Sequence, residues 1–348
     1  MNENLYFCLI ASCKIVLGSD VSAVYDLQTE IVHTYPKWVG EFVTLYEGQA
    51  VIRDIYSDSD FSREEVLTVI QSLVARKCIV LTKWPHFFKT VHRDSVSGLD
   101  ERPMKYAIVD IDRYSNLDIH GLFLEEHIRH GGEVLDIRVY NYRDLDVVFK
   151  FISDPIFRDY KFVTLYINLN PLEVEQYRVI DSSENISMSN CFILEEVGNF
   201  DGFLKTNFYL GEFNVNSCGI VSRDNFTVNS DNFKKAKLVN ECLFGKIGVD
   251  VNGKLKNCPS HDVDFGVYSK GRLVSLASDS SFLSYQKIKK DDVEICRDCI
   301  YRYCCTDCRV FVKDGSNSHG KPEKCGYDPY SNKWTEGENY FTPLFKME

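Results

Sequence analysis

Short apolar runs separated by polar turns open the chain: Leu5 to Ile10, Ile15 to Leu17, Ala23 to Leu27 and Ile31 to Tyr35. Runs of this length predict a small antiparallel sheet. Pro36, which cannot donate to a ladder, closes it. Trp38, Phe42, Val43, Leu45 and Tyr46 predict a helix stopping near Gly48. Ser62 and Glu65 have the spacing of a capping box, with Phe61 and Val66 at the staple positions around it. Val66, Val69, Ile70, Leu73 and Val74 then recur at helical spacing, Arg76 and Lys77 suit that helix's negative end, and Cys78 to Leu81 leaves as a strand. A small sheet, two or three helices and a closing strand over residues 1–90 describe a winged helix-turn-helix shape.

After a polar linker, Arg93 to Arg102, strands and helices alternate. Tyr106 to Ile111, Val134 to Tyr140 and Phe162 to Leu169 read as strands. Leu117 to His130, stopped by Gly131-Gly132, and Asp144 to Ile152 read as helices. Such βα units predict a parallel sheet within residues 91–220. In residues 221–348 the periodicity gives way to cysteines, introduced by a hairpin over Val249 to Leu255 with an Asn252-Gly253 turn and Cys258 at its exit. The fold class is therefore α+β with an α/β middle, in three parts: 1–90, 91–220 and 221–348.

Length and composition agree with this division. The 348 residues suit two or three domains, and 44% apolar with 26% charged residues is ordinary for a globular chain. No run of eighteen apolar residues predicts a membrane span. Met1-Asn2-Glu3-Asn4 lacks the basic start of a signal peptide, so the expected compartment is the cytoplasm. There the 13 cysteines should meet metal rather than form disulfides. A net charge of −11 speaks against a nucleic-acid partner. The helix over 62–77 is no basic recognition helix either, with Arg63, Arg76 and Lys77 set against Glu64 and Glu65. Residues 242–325 nevertheless carry Lys254, Lys256, Lys287, Lys289, Lys290, Arg297, Arg302 and Arg309. These read either as compensation for an anionic thiolate centre or as solvated surface.

The chemistry is concentrated in Cys296-x2-Cys299-x5-Cys305-x2-Cys308, with Cys242 and Cys258 before it and Cys325 after it. Each Cys-x2-Cys pair places two thiols on one tight turn. Gly253 precedes Cys258 by five residues, in Gly253-Lys254-Leu255-Lys256-Asn257-Cys258. This order resembles the SPASM domain, the auxiliary iron–sulfur module at the C-terminus of many peptide-modifying radical S-adenosylmethionine enzymes. One departure is that the step from Cys305 to Cys308 skips two residues, where that family usually skips three. Asn257-Cys258-Pro259-Ser260, Cys305-Thr306-Asp307-Cys308-Arg309 and Cys325-Gly326-Tyr327-Asp328-Pro329 are similar to SPASM maturases of "grasp-with-spasm" systems for ribosomally made peptides. The resemblance implies two 4Fe–4S clusters. One would use Cys296, Cys299, Cys305 and Cys325; the other Cys242, Cys258 and Cys308, with Cys218 as candidate fourth ligand. Cys304 reads as a packed thiol. Zinc is the alternative metal, because four thiolates suit it as well.

By the same resemblance, residues 91–220 correspond to part of a radical S-adenosylmethionine β/α barrel. The Cys-x3-Cys-x2-Cys that would hold its catalytic cluster is missing: Cys8 and Cys13 have no third partner, and Cys78 and Cys191 stand alone. No Gly-rich strand–turn–helix unit offers a nucleotide site. The middle is thus expected to be a truncated, non-radical relic that does not use S-adenosylmethionine, with no catalytic residue assigned. His120, His127 and His130 are expected on the surface of the first barrel helix. Residues 1–90 resemble a PqqD-like RiPP recognition element, which adds a precursor's leader peptide as an extra strand. Its groove would lie between Ile31–His33 and the helix bearing Val66, Ile70 and Leu73. The implied partners are that leader peptide and an ATP-grasp ligase. The implied role is a maturase or accessory protein; a redox enzyme acting through the centres and a zinc-stabilised scaffold remain the alternatives.

Overall fold

The computed structural model describes residues 2–58, 61–88, 104–142, 144–195, 200–315, 317–335 and 342–345. The linker expected over Arg93 to Arg102 lies outside them.

Four strands come first: β1 (Tyr6–Leu9), β2 (Cys13–Leu17), β3 (Val21–Asp26) and β4 (Ile31–Pro36). They do not form one sheet. β2, β3 and β4 make an antiparallel meander, whereas β1 leaves it to pair with β5 (Ile79–Thr82). Between β4 and β5 lie helices α1 (Lys37–Tyr46), α2 (Ile52–Asp58) and α3 (Arg63–Ala75). The cap of α3 is the one its sequence predicts. Ser62 Oγ accepts from Glu65 N at 3.2 Å, and Glu65 Oε2 accepts from Ser62 N at 2.8 Å. Phe42 packs between Phe7 and Phe61, and Val66, Ile70 and Leu73 are wholly buried beneath the strands.

The middle sheet is larger than its sequence suggests. It is built from β6 (Tyr106–Ile111), α4 (Leu117–Arg129), β7 (Val134–Val139), α5 (Leu145–Ile152), β8 (Phe162–Asn168), the single turn α6 (Arg178–Asp181), β9 (Met188–Ile193) and β10 (Thr206–Leu210). Helix α7 (Ser230–Leu238) follows, and β11 (Lys246–Val249) then returns to lie parallel to β6, carrying β12 (Leu255–Lys256) antiparallel on its outer edge. Six strands are parallel in the order β11-β6-β7-β8-β9-β10. The expectation of three strands falls short because β9 and β10 carry Ser189, Asn190, Thr206 and Asn207, which mask the apolar run of a buried strand. The hairpin at 249–255 therefore continues the sheet of residues 104–210, and the chain does not change domain cleanly at 220/221. Helices α8 (Arg272–Leu276) and α9 (Ser280–Gln286) add Leu273, Leu276 and Phe282 to the same core. Past the cysteines, β13 (Tyr327–Asp328) and β14 (Lys333–Trp334) pair with each other, and β15 (Thr342–Phe345) joins the far edge beside β10.

The two-residue period of the strands gives this sheet two faces. Leu135, Ile137 and Val139 of β7 enter the helix-side core with Val109, Leu165 and Ile247. The opposite face carries Asp110, Arg138, Tyr140, Tyr166 and Phe192, and it leads to the cysteines. The third side of the cysteine-rich segment meets the N-terminal meander, where Val16, Ala23 and Tyr25 pack on Phe233, Ile300, Tyr301 and Cys304.

Candidate metal centres

All thirteen cysteines are free thiols. Cys296 opens a short turn in which Cys299 N donates to Cys296 O at 3.0 Å. Cys305 is brought back by Cys305 N donating to Tyr301 O at 3.1 Å. Ile295, just before this turn, takes φ of 66°; for a β-branched residue that is a strained, left-handed backbone. Cys325 arrives from a separate segment that bridges to Val221. These four cysteines line one cavity of about 20 Å³, together with Lys290, Tyr301, Tyr327 and Trp334. Burial pushes the Cys299 thiol up to about 12 and raises Cys305 further still; the neighbouring cysteines add to both shifts, and Lys290 opposes them. As placed, the thiols would be neutral, and bound metal is what would hold them as thiolates.

The second group lies beneath the inner face of the sheet. Cys258 leaves β12, and burial pushes its thiol up to about 12, with Arg138 opposing and Cys242 and Cys218 adding to the rise. Cys308 is raised by burial first, then by Cys242 and with a contribution from Cys218. Gly219 has φ of 81°, and a Cβ there would stand 2.9 Å from Cys308 Sγ. Only glycine lets the backbone at 219 pass so close to the Cys308 side chain. Cys242 and Cys218 thus lie within electrostatic reach of both Cys258 and Cys308.

The surroundings suit an anionic guest. Lys290 is buried, with Nζ 3.2 Å from Asp307 Oδ1 and 4.0 Å from Cys296 Sγ. Asp307 Oδ1 also lies 2.6 Å from Arg309 Nη2, and Asn240 Nδ2 donates to Asp307 Oδ2 at 2.9 Å. Trp334, on the wall of the first cavity, has a buried indole N–H with no acceptor among the described residues. A guest that offers negative charge and acceptor atoms would satisfy both groups, as an iron–sulfur cluster with its sulfides does. A tetrahedral zinc site, with Zn–S near 2.3 Å, needs sulfurs about 3.8 Å apart around one point. Among the described residues, no three His, Cys, Asp or Glu side chains form a ready-made single-metal site.

Of the basic residues singled out in the sequence, Lys290 reaches a thiol, while Lys254 and Lys256 pair with Asp264 and Asp250. Two cations near the second group are missed by motif reading. Burial would lower the pKa of Lys246, but Cys242, Asp136, Cys258 and Cys218 together raise it. Arg138 Nη1 donates to Cys218 Sγ at 3.3 Å. Both come from strands whose alternation, a charged residue within an otherwise apolar run, was the available signal. Cys304 behaves as a packed thiol, its Sγ 3.4 Å from Tyr301 O.

The peptide groove is arranged differently from its expectation. Ile31 is 48% exposed on β4, an outer strand of the meander, and His33 is half-buried on the same strand. Burial, then Arg76, lowers the His33 pKa. Arg76, just after α3, also lies over the Tyr35 ring at 5.0 Å, so β4 and the end of α3 are adjacent. Val66, Ile70 and Leu73 do not face this space: each is fully buried in the core, and the outward side of α3 carries Thr68, Gln71 and Val74 instead. A helix presents one apolar stripe, and here the core takes it.

The histidines also correct their expectation. His120 and His127 are fully buried, not on the helix surface; only His130 is exposed. His120 Nε2 is 3.2 Å from Asp250 O, and His127 is held between Tyr160 Oη at 2.9 Å and Met104 O at 2.8 Å. Cys78, alone in the sequence, shares a hydrogen bond with Cys13 across the N-terminal core, while Cys191 is fully buried beneath the middle sheet.

No family model matches this chain, and no curated protein does. Among solved structures, it overlaps Streptococcus suis SuiB bound to the precursor peptide SuiA at 9% identity, over 91% of this chain and 99% of that one, with a TM-score of 0.37. SuiB bound to S-adenosylmethionine overlaps at 10% identity, over 87% and 96%, with a TM-score of 0.35. Overlaps at this level establish neither fold nor function.

Proposed function

We propose that this chain is an accessory or maturation protein for a ribosomally made, modified peptide. It takes the precursor's leader along β4 and carries two iron–sulfur centres, one on Cys296, Cys299, Cys305 and Cys325 and the other on Cys218, Cys242, Cys258 and Cys308. The observation that carries this reading is the gathering of Cys296, Cys299, Cys305 and Cys325, from two separate stretches of chain, on one cavity with the buried Lys290 beside it; Arg138 against Cys218 supports the second centre. The buried Trp334 indole donor on the cavity wall, without an acceptor among the described residues, favours a guest that brings acceptor atoms, as a cluster's sulfides do.

With every iron met by a thiolate, such centres would pass electrons or hold the segment's shape, and offer no open position to a substrate. The chain's own part is to exclude water from the thiols and to balance their charge through Lys290, Lys246 and Arg138. Bound leader would extend the β2-β3-β4 meander, whose opposite face rests on the cysteine segment. An ATP-grasp ligase is the proposed partner that performs the bond-forming step.

Anaerobic purification with iron and acid-labile sulfide assays tests the reading directly. About eight of each per chain are expected for two four-iron centres. Stoichiometric zinc without sulfide would replace it with a structural scaffold. Incubation with S-adenosylmethionine and reductant should give no cleavage; 5′-deoxyadenosine among the products would defeat the accessory assignment.

A further inference from the structure

Arg138 sits on β7 directly opposite Asp110 of β6. Its Nε lies 2.6 Å from Asp110 Oδ1 and its Nη2 2.8 Å from Asp110 Oδ2, a two-pronged pair. Tyr140 Oη donates to the same carboxylate at 3.2 Å. Asp110 thereby fixes the plane of the guanidinium and leaves Nη1 aimed at Cys218 Sγ, 3.3 Å away, while Nη2 also reaches Ser260 Oγ at 3.2 Å. Arg138 is 3% exposed and Asp110 likewise 3%. A guanidinium stays charged at this depth, and each of its donors needs an acceptor. A thiol is a poor one, whereas a thiolate makes a charge-assisted bond. The fixed guanidinium is thus aimed at the Cys218 sulfur and would hold it in place as a ligand.

Cys218 lies outside the cysteine-rich motif, on the segment that leads from β10 to α7, and Gly219 beside it runs close against the Cys308 side chain. A cation fixed against one thiolate stabilises the more negative, reduced form of a centre, and so raises its potential. At the other group, the buried cation Lys290 is shared with Asp307 and stands farther from sulfur, at 4.0 Å. The two groups thus receive unequal donation.

We infer that Arg138 is a positioning residue for the second centre: it holds Cys218 as the fourth thiolate and raises that centre's reduction potential. This rests on the iron–sulfur reading proposed above. It also gives the polar face of the parallel sheet a task that needs no radical chemistry.

The test is a redox titration of the full-length, iron-loaded protein followed by EPR, comparing the natural chain with Arg138→Lys and with Asp110→Asn/Arg138→Gln. The double variant keeps the shape of the pair without its charges. At a fixed potential, its reduced-to-oxidised ratio should fall about tenfold at one centre, equal to 59 mV for one electron, with the other centre unmoved. Arg138→Lys, which keeps charge but loses the fork, should fall less. A change below threefold at both centres in the double variant overturns the proposal. Pulsed EPR on the unmutated protein labelled with ¹⁵N-arginine gives a second test that needs no variant to fold. Coupling of one centre to guanidinium nitrogen supports the contact, and its absence from both centres overturns it. A chain that holds zinc and no sulfide removes the underlying reading and this inference together, whereas unmoved potentials in an iron-loaded chain remove the inference alone.

Discussion

Tyr25 Oη donates to Ile300 O at 2.5 Å, across 275 residues of sequence. The tyrosine is fully buried, and its hydroxyl also stands 3.5 Å from Cys304 Sγ. With Arg302 Nη1 donating to Leu17 O at 2.8 Å and Ser19 N donating to Asp298 O at 3.0 Å, it ties the N-terminal meander to the cysteine-rich segment. Tyr25→Phe should destabilise the protein by about 1–2 kcal/mol, the cost of a lost buried hydrogen bond. Iron content should not change, because neither partner is a proposed ligand. Denaturant unfolding beside an iron assay checks both parts.

Cysteine substitutions should separate the groups. Cys258→Ala is expected to lower iron and sulfide by about half while leaving the other centre's EPR signal, and Cys305→Ala to remove the complementary half. Cys304→Ala should keep full metal content. Equal, total loss from every one of these variants would argue against two independent centres.

The groove and the core beneath it should respond differently. Ile31→Asp and Val74→Asp alter exposed positions, so stability should hold within about 0.5 kcal/mol. If leader docks along β4, its affinity should fall tenfold or more, as measured by fluorescence anisotropy with a labelled precursor peptide. Leu73→Ala should instead cost about 2–5 kcal/mol, because it opens a cavity in the core. Unchanged affinity in both aspartate variants would move the peptide site elsewhere.

His127 predicts an acid-sensitive fold. Burial pulls its pKa down to about 4, despite the opposing bond to Met104 O. Histidine in an unfolded chain titrates near 6.5. Between about pH 6.5 and 4 the unfolded chain therefore takes up a proton that the folded one refuses. The stabilisation is complete above that range and is lost as pH falls, by about 3 kcal/mol in all. Urea midpoints at pH 7 and 4.5 should show a steeper drop in the natural protein than in His127→Gln.

Glu126 is a buried carboxylate on α4. Its carboxylate accepts from Tyr268 Oη at 2.6 Å, Gly271 N at 2.8 Å and Leu273 N at 3.2 Å, pinning the start of α8 to α4. Burial would raise its pKa, but these donors together lower it. Glu126→Ala should cost about 2–3 kcal/mol, through donors left unpaired, and should speed amide hydrogen exchange over residues 268–276.

What the sequence settled by itself was local. The capping box at Ser62 and Glu65, the exact span of β6 and the tight turns between paired cysteines are fixed by residues a few positions apart, so periodicity and spacing reveal them. Tertiary structure decided what distant segments do to one another. It buried Val66, Ile70 and Leu73 rather than leaving them to line a groove, and enclosed His120 and His127 between α4 and its neighbours. It also returned β11 to the edge of β6 and brought Arg138 from the middle of a strand to Cys218, 80 residues later. No local rule states which face of a helix or strand meets another element, because that choice is made by packing and charge pairing only when the whole chain closes.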